Sequence, residues 1–239
     1  MAGIIRGESK SLVKLRENQE ETLNYARKIH MKELFGATEF VASLADIELG
    51  RILVSDEPLR LYRELLGKGR LQETLRSMHM ARHFHYLESY ETACEYHFRW
   101  FVEENRMRYN VNTLSQKTID GLSLAKCIPK VSYLKKIRYR LRFHRLCRDL
   151  QWAAKESPFN YLHQFELLKG VKEMLKGQDN EAIRTFEKAA EIAKKSGGYL
   201  WVGIANELAG EILIEKGFPR YAIDCIQEAH YYYERYGLK

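Results

Sequence analysis

Five positions near the end of the chain return at one fixed offset. Gly170, Gly177, Ala182, Phe186 and Ala189 recur forty residues later as Gly210, Gly217, Ala222, Ile226 and Ala229. An offset held at five positions constrains the fold more than any composition, because one supersecondary unit is then used twice. The residue types suit an α-hairpin. A glycine at 170 or 210 and an alanine at 182 or 222 let two helix axes approach closely. Gly177 and Gly217 supply the positive φ that ends a first helix and turns the chain. Phe186 or Ile226, with Ala189 or Ala229, form a stripe at helical spacing, predicted to face the preceding hairpin. Residues 161–176, 180–195, 200–216 and 219–236 are thus predicted to be four antiparallel helices. Pro219 is tolerated near a helix start, where its missing N–H would be unpaired anyway.

A weaker copy lies upstream, where Ala81, Ala93 and Trp100 keep the spacing of Gly170, Ala182 and Ala189, with Ser89 and Tyr90 at the turn. It predicts helices over about 70–87 and 90–105. A glycine or alanine followed twelve residues on by alanine, and seven later by another, is tetratricopeptide-type spacing. The forty-residue period exceeds the usual 34 of that repeat, so its helices or loops are longer here. The fold expected is all-α, with antiparallel hairpins stacked as a tetratricopeptide-like α-solenoid. Residues 1–69 would be N-terminal helices, 70–157 irregular helical repeats with a basic helix, and 158–239 two regular repeats, in one continuous solenoid.

Elsewhere, apolar positions at helical spacing predict helices over 9–35, 38–53 and 59–66, the last begun by Ser55-Asp56-Glu57-Pro58. Residues 108–115 read as an irregular connector, and 117–127 as a helix ending before Pro129. In 131–155, Ile137, Tyr139, Leu141 and Phe143 alternate with basic residues in a strand-like period. Leu134, Ile137, Leu141, Leu146, Leu150 and Ala153 also fit one long helix, and a lone strand would have no partner, so a helix is expected.

The four prolines stand far apart, which leaves long stretches free to be helical. No apolar run approaches the roughly 18 residues of a bilayer span, and the N-terminus lacks a signal-peptide core, so the protein is expected in the cytoplasm. Cys94, Cys127, Cys147 and Cys225 form no CxxC pair and read as small core residues in a reducing compartment. The net charge of +7 is local: 131–148 holds seven basic residues and no acid.

From Trp152-Ala153, through Ser157-Pro158, Asn160 and His163, to the aromatic tail, the chain resembles the helical region of large bacterial multidomain signalling proteins. Those proteins combine a serine/threonine-kinase domain, an AAA-type ATPase, tetratricopeptide-like repeats, a GAF domain and a sensor histidine kinase. The matching residues are Asn160 and His163, the acid-rich turn before Ala182-Ile183, Ala205-Asn206-Glu207-Leu208-Ala209, and Glu228, Ala229 and Tyr231. The resemblance implies a scaffold linking sensing and output domains, present here as the repeat segment alone: a fragment, a degenerate gene or a stand-alone descendant. It carries over no catalytic residue, since neither a GxxxxGK[ST] loop nor an HRD or DFG signature is present.

No acid–base pair, nucleophile motif or cofactor loop converges, and Glu181, Glu187 and Glu191 read as solvated helix charges. The chain is therefore expected to be no enzyme and to need no cofactor or metal. His79, His83, Cys94 and His97 fall on facing helices in a spacing that could bind zinc, but lack a short paired ligand motif and read better as a hairpin interface. Arg138, Arg140 and Arg142 could meet a phosphate backbone, with Tyr133, Tyr139 and Phe143 stacking on bases, or acidic lipids; the alternative is a solvated face or one that docks an acidic domain. Tyr231, Tyr232, Tyr233 and Tyr236 either pack on the preceding hairpin or mark where a further element docks. Asn206 is expected to face a concave groove and hold a peptide backbone. Partner-binding candidates are thus Asn206, Arg138, Arg140, Arg142, Tyr232 and Tyr236. The partner expected is a protein or a neighbouring signalling domain, with nucleic acid second, no membrane span, and an oligomeric state left open.

Overall fold

A computed structural model describes Glu20, Glu21 and Asn24, then residues 70–100 and 111–237. The helices expected over 9–35, 38–53 and 59–66 lie outside these, apart from the first three, which are helical. The described residues are all-α, with eight long helices and no strand. These are α1 (Arg70–Tyr86), α2 (Tyr90–Trp100), α3 (Val111–Cys127), α4 (Tyr133–Glu156), α5 (Pro158–Met174), α6 (Asp179–Ser196), α7 (Tyr199–Glu215) and α8 (Pro219–Tyr236). They fall into two compact units, residues 1–108 with 237–239, and residues 109–236. In the second unit each helix packs on the next in sequence, and α5 also touches α3 and α7.

The glycines do what their spacing predicts. Gly177 and Gly217 have φ of 74° and 80°. At the first turn the Gln178 N–H donates to the Glu173 carbonyl (3.0 Å) and Gly177 N–H to Met174 (2.9 Å); at the second, Phe218 donates to Leu213 (2.8 Å) and Gly217 to Ile214 (3.0 Å). This paired closure satisfies carbonyls a helix end leaves orphaned. The α1–α2 turn closes the same way, Ser89 donating to Phe84 (2.9 Å) and Glu88 to His85 (3.0 Å). Glu88 stands at the position matching Gly177 and adopts φ 56° without being glycine.

Gly170 and Gly210 mark the helix crossings. A β-carbon on Gly170 would lie 2.6 Å from Phe186, and one on Gly210 would lie 2.8 Å from Ile226. Phe186 and Ile226 therefore pack across their own hairpins, each filling the recess that its glycine leaves. Ala182, Ala189, Ala222 and Ala229 are all buried. In the first unit Ala81 is buried with Met78 and Trp100, so a large ring there takes the position of Ala189.

Two other expectations are corrected. Residues 111–115, expected in an irregular connector, are the first turn of α3. Thr118 Oγ1 donates to Gln164 Oε1 at 2.9 Å, tying α3 to α5; such tertiary ties override the weak helix propensity of Val-Asn-Thr. α4 is one helix as expected, but its apolar residues do not share one face. The five-residue step from Leu141 to Leu146 turns the helix by about 140°. Tyr139, Phe143, Leu146, Leu150 and Ala153 are buried, whereas Leu134, Ile137 and Leu141 point outward.

A candidate interaction surface on the basic helix

The helical turn sorts the basic residues of α4. Lys135, Arg138, Arg140 and Arg148 are exposed, Lys136 and Arg145 half-buried, and Arg142 buried. Arg142 falls at the edge of the inward arc, beside Ala153 and Leu146, so only two of the three arginines singled out from sequence reach the surface. Between the exposed cations, Leu134 is 79% exposed, Leu141 67% and Ile137 42%. Tyr133 and Trp152 are exposed near the two ends of the same face.

The positive potential reaches beyond α4. Burial, then the charges of Lys172, Lys176, Arg140 and Arg148, hold the His144 imidazole below its usual pKa. Lys172 comes from α5 and Lys176 from the turn after it, so the cationic surface spans two helices.

The other candidates lie elsewhere. Asn206 is largely buried, and its Nδ2 donates to the Val202 carbonyl of its own helix at 3.0 Å. Forty residues earlier stands Glu166, also buried, whose Oε1 meets Lys188 Nζ at 2.6 Å. Tyr232 is half-buried against Tyr199, with the Lys194 ammonium 5.5 Å from its ring centroid. Lys194 in turn pairs with Glu228. Tyr233 fills the recess at Gly203 and its hydroxyl donates to Glu207. Arg235 lies 4.4 Å from the Tyr199 ring centroid and donates to its hydroxyl at 3.0 Å. Much of the tyrosine cluster thus packs on the preceding helices, with Tyr231 left largely exposed and Tyr236 half-buried.

His83, Cys94 and His97 are buried, His97 against the Trp100 ring, and no set of three metal-ligating groups assembles among the described residues. Sequence reasoning missed two long-range ion pairs, one buried and one partly exposed. Lys117 Nζ, wholly buried, meets Asp149 Oδ2 at 2.6 Å, and Lys126 Nζ meets Glu211 Oε2 at 2.6 Å. His163, which the sequence marked only through the resemblance, is buried beside Trp201 with neither ring nitrogen hydrogen-bonded. Burial lowers its pKa to about 4.

No family model matches this chain, and neither a curated protein nor a solved structure does.

Proposed function

We propose that this chain is a non-catalytic scaffold for protein–protein interaction, built as a tetratricopeptide-like α-solenoid and related to the repeat segment of bacterial kinase and ATPase signalling proteins. The observation that carries the reading is the reuse of one hairpin. At α5–α6 and at α7–α8 a glycine lies under the facing side chain, a glycine at positive φ closes the turn with the same two hydrogen bonds, and alanines fill the crossing. Hairpins stacked in this way give extended surfaces that bind other proteins without any reacting group.

The exposed arginines of α4 favour a second reading, a nucleic-acid-binding regulator, since arginines on a stretch without acids, residues 131–148, suit phosphates. Affinity capture with the intact chain, with and without nuclease, separates the two. Beside it runs an Arg138→Glu/Arg140→Glu/Arg145→Glu variant, which replaces surface charges and leaves the buried Arg142 alone. The scaffold reading expects one protein recovered by both forms and rebinding the purified chain after nuclease treatment. Recovery of nucleic acid alone, lost in the variant, would move the function to α4.

A further inference from the structure

An exposed leucine by itself needs no explanation. Leu134, Ile137 and Leu141, however, follow one another at helical spacing on the outward face of α4 and are all exposed, Leu134 and Leu141 among the most exposed large apolar residues described. Arg138 and Arg145 border the stripe on one side and Arg140 and His144 on the other, with no acid between residues 131 and 148. Lys172 and Lys176 extend the positive surface beside His144.

A partner for this face must offer negative charge and an apolar phase within one side-chain length of each other. Nucleic acid offers the phosphates but would leave Leu134 and Leu141 in water. An acidic protein helix offers both, but one convex helix presents little of the roughly 1,000 Å² that a stable protein interface buries. An anionic leaflet offers both over any area, needs no matching shape, and accepts aromatic rings at headgroup depth. We propose that the outward face of α4 docks on an anionic phospholipid surface, with Leu134, Ile137 and Leu141 entering the acyl boundary and the flanking arginines meeting lipid phosphates. Tyr133 and Trp152 lie at the headgroup level. The contact is peripheral, as none of the described helices is long and apolar enough to cross a membrane.

The test is co-sedimentation of the full chain with phosphatidylcholine vesicles and with phosphatidylcholine–phosphatidylserine vesicles. Binding is expected only to the anionic mixture, and weaker in high salt. Leu134→Ser/Ile137→Ser/Leu141→Ser keeps every charge and should bind at least about tenfold more weakly. Arg138→Gln/Arg140→Gln/Arg145→Gln should lose about a hundredfold. All six side chains are exposed or half-buried, so helix content by circular dichroism should not change. Trp100 and Trp201 are buried, so a blue shift of tryptophan emission on vesicle addition, absent in Trp152→Phe, reports insertion at this face. No binding to anionic vesicles at low salt would overturn the proposal, as would binding that the triple serine variant leaves intact. A chain that ignores vesicles and retains duplex RNA or an acidic helical peptide would overturn it too.

Discussion

A β-carbon on Gly170 would meet the Phe186 ring and one on Gly210 would meet Ile226, but the two neighbours differ in their freedom to give way. Phe186 is fully buried, while Ile226 is 39% exposed and can swing outward. Gly170→Ala is therefore expected to destabilise by about 1–3 kcal/mol through overpacking. Gly210→Ala should cost far less, because relief of up to about 1 kcal/mol of glycine's helix penalty offsets the contact. Gly177→Ala and Gly217→Ala should each cost about 1–2 kcal/mol, since both hold a left-handed backbone. Urea unfolding of the four variants measures all of these. His163 carries a pH prediction. Its folded pKa lies near 4 against an ordinary 6.5, so the unfolded chain binds the extra proton between those values. Its contribution is complete above about pH 6.5 and is lost as pH falls through 4, by up to about 3 kcal/mol. In His163→Leu the stability difference between pH 7 and pH 5 should shrink; an unchanged difference would place the acid sensitivity elsewhere.

At the scale of the element, α4 shows what periodicity can and cannot tell. Leu134, Ile137 and Leu141 fit a helix, and so do Leu146, Leu150 and Ala153, which made the helix legible. The five-residue step between the two sets, read as continuity, in fact moves the apolar stripe to another face. The same rotation buries Arg142 and exposes Arg138 and Arg140. Arg142→Ala is thus expected to destabilise by about 1–3 kcal/mol, through a buried side chain and its lost contacts. Arg140→Ala should stay within about 0.5 kcal/mol. Equal effects in thermal or urea unfolding would refute this division of the helix into faces. The first turn of α3 was illegible for the opposite reason. Its residues are weak helix formers, and the tie of Ser115 to Gln164 of α5 is one that local propensity does not carry.

For the whole molecule, what could be read was whatever packing fixes with one residue type: glycine at a crossing or a turn, alanine in a crossing. These positions are local, so spacing alone exposed them. Charged pairs such as Lys117–Asp149 and Lys126–Glu211 join residues far apart in sequence, and nothing local marks either partner. Asn206 sits on α7, a helix buried on most sides, which spacing alone did not foretell. α8, by contrast, has only Ala222 and Ala229 fully buried and keeps Ile223 and Tyr221 exposed. Hairpins that rest on nearest neighbours should open from such an edge. Hydrogen–deuterium exchange of the full chain, followed by mass spectrometry under native conditions, tests the stacked-hairpin account most directly. The expected result is graded protection, with α8 amides exchanging well before those of α5, α6 and α7. Exchange of all four helices at one common rate, as a single cooperative core would give, would contradict it.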